Sequence, residues 1–129
     1  MPRPPAPAPA SFSSVVEAGD CVSATSCLLA GRIGDHLAAW AWDGRTGRAL
    51  DLPTVPLGDH DRVLGVAHEG SEPWIVLART GSGDIVRGLR TLVPVPGCGM
   101  PTALTTVAGH LWLATDGPAG PALWTTARG

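Results

Sequence analysis

Asp20–Asp43, DCVSATSCLLAGRIGDHLAAWAWD, is the stretch on which the reading of the fold turns. Two apolar runs, Ser26–Ala30 and His36–Trp42, flank Gly31–Asp35, where Gly, Arg and Asp predict a turn. The pair therefore reads as a β-hairpin. Two weaker copies lie further along the chain: PWIVLARTGSGDIVRGLR (Pro73–Arg90) and HLWLATDGPAGPALWTTAR (His110–Arg128). In each, an apolar strand ends in Ala, a Gly-containing turn comes next and a second strand begins. Taking Ala30, Ala78 and Ala114 as equivalent gives offsets of 48 and 36 residues, averaging 42. That spacing lies within the roughly 40–50 residues of a four-stranded propeller blade.

The rest of the chain supports an all-β protein. Its 17 Gly and 13 Pro are close to a quarter of the 129 residues, and they punctuate apolar runs without a collagen-like period. No window keeps a helical i, i+3, i+4, i+7 apolar face free of Gly or Pro. Ser11–Ala18 reads as a first strand, turned by Gly19–Asp20 into the hairpin. Short strands are also predicted at Ala49–Leu52, Arg62–Ala67, Thr91–Val95 and Ala103–Val107, while Pro53 and Pro56 confine the residues after Leu52 to an edge or a loop. The expectation is three degenerate four-stranded propeller-like repeats, spanning about residues 11–60, 61–100 and 101–129, with a β-sandwich as the alternative. Residues 1–10, MPRPPAPAPA, read as a Pro/Ala-rich polyproline II tail or linker. No apolar run comes after Arg3, so the start does not read as a secretory signal.

Composition excludes several functions. A net charge of −2 offers no electrostatic footprint for nucleic acid, and no apolar run approaches the roughly 20 residues of a membrane-spanning helix. Lys, Asn, Gln and Tyr are absent, which removes Schiff-base lysines, side-chain amides for an oxyanion hole and tyrosine nucleophiles. Asp59-His60-Asp61 is the one dense polar cluster. Adjacent residues rarely converge on one ion, so it reads as a solvated turn and not as a metal site. The acidic residues are scattered through turns and single out no pair for glycosidase chemistry. The expectation is a protein that is not an enzyme and carries no cofactor.

Cys21-Val-Ser-Ala-Thr-Ser-Cys27 leading to Gly31, then Ala39-Trp-Ala-Trp-Asp-Gly44, resembles the repeats of bacterial β-propeller proteins of the secreted, sialidase-like repeat type. The likeness covers about 24 residues, and the Asp-box pattern Ser-x-Asp-x-Gly-x-x-Trp is absent. Two readings of Cys21 and Cys27 stand side by side, a disulfide across a tight turn and two free thiols packed as small hydrophobes. The resemblance favours the bridge and an extracellular setting.

Tryptophan carries nearly all the aromatic surface, with five Trp against one Phe. Trp40 and Trp42 share a strand face opposite Ala39 and Ala41. Indoles either pack between blades or stack on sugars and protein partners. The expected function is a non-catalytic binding or scaffold module recognising a protein or a carbohydrate through Trp42, Asp43, Arg45 and Trp124. The alternative is a fragment or subunit of a larger secreted hydrolase or sensor whose active parts lie outside the chain. Three repeats make no familiar closed ring, so a homodimer closing six blades is one expected assembly.

Overall fold

The computed structural model describes residues 14–126; the predicted Pro/Ala tail, the start of the first predicted strand and residues 127–129 of the third unit lie outside them. The described residues form an all-β protein of three antiparallel sheets, each ordered up and down as the chain runs. The first holds β1 (Ser14–Ser23), β2 (Ser26–Ile33), β3 (His36–Trp42) and β4 (Gly47–Ala49). The second holds β5 (Arg62–Glu69), β6 (Glu72–Arg79), β7 (Ser82–Arg87) and β8 (Thr91–Pro94). The third holds β9 (Met100–Val107), β10 (His110–Gly117) and β11 (Gly120–Thr125), so it has three strands among the described residues where four were expected.

Two glycines read as turns are strand residues. β1 runs straight through Gly19–Asp20 to Ser23, and the chain turns at Ala24–Thr25 instead. Gly31 likewise continues β2, which turns at Gly34–Asp35. A Cβ at Gly31 would lie 1.8 Å from the carbonyl oxygen of Val15, because β1 bulges between Val16 and Ala18 against it. Glycine is present there for close approach of two backbones, not for a turn. The predicted strand Ala49–Leu52 is displaced to Gly47–Ala49, sharing only Ala49, and Leu50–Leu52 belong to the connection that follows. Cys21 and Cys27 face each other across β1 and β2 and form a disulfide.

Sheet faces are set by strand register. Ala39 and Leu37 of β3 stand beside Ala30 and Arg32 of β2, and Leu28, Ala30, Leu37 and Ala39 pack with Val63, Val66, Ile75, Leu77 and Val86 of the second sheet. The opposite face of the second sheet presents Trp74, Val76, Ile85 and Val93 to Leu104 and Leu113 of the third. The second sheet is thus sandwiched, and the first strands β1, β5 and β9 run side by side in that order. Ala30, Ala78 and Ala114, the residues that carry the repeat, all fall on the second strand of their sheets and on equivalent faces.

The wedge between the first two sheets is filled by the connection from β4 to β5. Val55 and Leu57 are 0% and 3% exposed there, and Leu50 and Leu52 pack against the same cluster. Pro56 bridges to His36, while Leu37 N donates to Val55 O at 2.9 Å and Leu57 N to Asp35 O at 2.7 Å, so the segment runs as an extra extended chain along the start of β3. A chain of charged groups holds it in place. Arg32 Nε donates to Glu17 Oε2 at 3.1 Å, and its Nη1 to Gly58 O at 3.1 Å. Arg79 Nη1 donates to Asp61 Oδ2 at 2.7 Å and its Nε to Asp84 Oδ2 at 2.7 Å.

Candidate functional site

The wedge between the second and third sheets is not filled in the same way. Its connection, residues 95–99, is five residues against twelve in the first wedge, and it delivers Val95 to the core. What remains is a crevice of about 280 Å³ walled by Trp74, Ile85, Val93, Leu111, Leu113 and Trp124, with Arg87 at its edge. Ligand pockets commonly enclose about 300–1,000 Å³, so this one suits a side chain or two and not a cofactor.

Each tryptophan wall is held by a neighbour. Trp124 is positioned by the pairing of β10 with β11, which sets it beside Leu113 on the face turned to the second sheet. Its indole N–H donates to the buried Thr115 hydroxyl at 2.9 Å, and it remains 38% exposed. Gly97, at φ 77°, passes under the ring; a Cβ there would meet Trp124 Cζ2 at 2.7 Å. Both the left-handed backbone and the close approach require glycine. On the opposite wall, Trp74 Nε1 donates to Glu72 Oε1 at 2.8 Å. The Arg87 guanidinium lies 4.9 Å above the Trp74 ring and 3.7 Å from the same Glu72 oxygen. A cation so placed over an indole contributes about 0.5–1 kcal/mol at an exposed position.

One end of the wedge is closed by polar contacts. The Glu69 carboxylate accepts from the Thr126 hydroxyl and, at 3.2 Å, from Leu111 N, while His110 Nδ1 lies 3.1 Å from its other oxygen. These contacts, the Thr126 hydroxyl first, hold the Glu69 carboxyl below its ordinary pKa.

Of the residues expected to bind, Trp124 alone lines this crevice. Trp42 ends β3 on the face of the first sheet turned away from the second, half-buried and opposite Cys27. Trp40 lies on that same face, buried with Ile33 and Ala38. Asp43 folds its carboxylate back into the turn after β3: Oδ1 accepts from Thr46 N at 2.8 Å and from Arg45 N at 2.9 Å. Those two donors, Thr46 first, lower its pKa. Arg45 is exposed in that turn. The first three expected residues therefore cluster at one end of the first sheet, apart from Trp124 in the third.

Trp74 and Arg87 are not among the residues expected to bind, although the sequence carries a signal for them. A two-residue turn at Thr80–Gly81 sets Trp74 directly opposite Arg87, as the structure has it. In the Asp59-His60-Asp61 cluster, Asp61 Oδ2 accepts from Gly58 N at 2.8 Å and pairs with Arg79. The Gly58 N–H chiefly, with Arg79 beside it, lowers the Asp61 pKa against the opposing effect of burial. Cys98 is a free, exposed thiol. Comparison of the chain with protein-family models, with curated proteins and with solved structures finds no match.

Proposed function

We propose that the chain is a non-catalytic binding module of β-propeller type whose ligand is a protein. The observation that carries this reading is the crevice between Trp74 and Trp124, an open apolar space in the position where the neighbouring wedge buries Val55 and Leu57. Carbohydrate fits it less well. Both indole N–H groups already donate, to Glu72 and to Thr115, so sugar hydroxyls pressed against this wall would lose water without replacement. Each such loss costs about 1–3 kcal/mol. An apolar side chain incurs no such cost and gains about 25 cal/mol per Å² buried. A secreted setting accords with the Cys21–Cys27 disulfide.

The propeller reading is supported by the way each sheet packs one face on the next, with first strands adjacent. The outward face of the third sheet leaves Val107 57% and Leu123 64% exposed, which favours a second chain continuing the series to six blades. Light scattering tests that assembly: a mass of twice 13.2 kDa supports it and a monomer refutes the ring.

The binding site itself is tested with the fluorescent apolar dye 1-anilinonaphthalene-8-sulfonate. One saturable site is expected, abolished by Trp124→Ala and by Val93→Phe, which fills the space from the opposite wall. A dye signal indifferent to both changes would refute the reading.

A further inference from the structure

We infer that the crevice takes an extended peptide of a partner protein, carrying two apolar side chains at alternate positions beside an acidic residue. The inference rests on the binding reading above and names its ligand. The protein itself displays the form of such an occupant. In the first wedge, Val55-Pro56-Leu57 lies extended along β3, exchanges backbone hydrogen bonds with Asp35 and Leu37, and drops Val55 and Leu57 into the gap between sheets. Alternate residues of an extended chain point the same way, so two apolar anchors with one residue between them reach a single wedge. The second wedge also lies between two sheets, has an unfilled volume of about 280 Å³ and receives Val95 alone from its shorter connection. An extended chain from outside supplies what the first wedge receives from within.

Charge indicates the flanking residue. A second hollow meets the crevice at Arg87 and is lined by Glu72, Gly88, Arg90 and Thr91. Glu72 is shared between Trp74 and Arg87, whereas the exposed Arg90 has no acidic partner among the described residues. The hollow is therefore net positive, and a peptide carboxylate beside the apolar anchors matches it.

The test uses Glu-Val-Pro-Leu-Glu-amide, carrying fluorescein on its N-terminal amine in place of an acetyl group, in fluorescence anisotropy at low salt. Two controls carry Ser in place of Val and Leu, or Lys in place of both Glu residues. Saturable binding is expected, at least tenfold tighter than for either control and competitive with the dye. Trp124→Ala should weaken it at least tenfold. Arg90→Glu, a change at an exposed position that leaves the urea midpoint unmoved, should weaken it three- to tenfold. Binding equal to that of the Ser or the Lys control, or indifferent to Arg90→Glu, overturns the inference. If the dye occupies the crevice and is lost in Trp124→Ala, yet the peptide neither binds nor displaces it, the peptide inference fails and the binding reading stands. If neither binds, both fail.

Discussion

Leu57→Ala is the sharpest test of how the sheets are held together. The side chain is 3% exposed and lies between the first and second sheets with Val55, Ile75 and Leu77. Removing three carbons forfeits about 2.4 kcal/mol of transfer free energy at about 0.8 kcal/mol each. A cavity penalty is added, because Pro56 and the hydrogen bond from Leu57 N to Asp35 O keep the segment from collapsing inward. Buried Leu→Ala changes span about 2–5 kcal/mol, and we expect about 3 kcal/mol here. The assay is urea denaturation at pH 7, with an unchanged m-value marking a true stability change. Leu123→Ala, at a side chain 64% exposed, serves as the control and should stay within about 0.5 kcal/mol of wild type. A Leu57→Ala variant as stable as Leu123→Ala would refute the account of the filled wedge.

The disulfide and the charged chain behind the first wedge give two more expected outcomes. Reducing Cys21–Cys27, or replacing both by Ser, should cost about 2 kcal/mol through loop entropy, lowering the melting temperature by roughly 6–10 °C; a melt insensitive to reductant would show that the bridge does not contribute. Asp61 binds its proton less tightly folded than unfolded, so its contribution is present at neutral pH and is lost as pH falls below about 4. The stability gap between wild type and Asp61→Asn should accordingly narrow from pH 7 to pH 2.5 in urea melts, and a constant gap would exclude the carboxylate as its source.

Much of the fold was legible because strand pairing here is local. Ser26, His36 and Trp42 mark strand ends correctly, and apolar runs broken by Gly gave the all-β class and the repeat. Glycine misled where its role was proximity. Gly31 looks like a turn residue in one dimension, and only the bulge of β1 against it reveals that a side chain would collide with Val15. The third sheet's fourth strand was expected from the four-stranded repeat and not from its residues: Ala103–Val107 and the hairpin that begins at His110 supply the three strands that are present among the described residues. The site was less legible still. Trp42, Asp43 and Arg45 form a conspicuous cluster in sequence, yet Asp43 serves its own turn through Thr46 and Arg45. The crevice arises from a difference between two connections, and length alone does not reveal that Val55 and Leu57 fold back while Val95 goes in alone.

The sandwiched second sheet has a consequence for how the molecule breathes. Ile75, Val76 and Leu77 on β6 are each fully buried, because neighbours cover both sides of that strand. Among the described residues, the third sheet presents one side to a neighbouring sheet and leaves Val107 and Leu123 of the other side exposed. Amide hydrogens of β6 should therefore exchange only through global unfolding, at the full unfolding free energy, whereas those of β11 should exchange through cheaper local openings. Such a gradient means that solvent and proteases reach the outermost strand beside the Trp124 crevice while the central sheet is still intact, making that strand the first part of the module to yield.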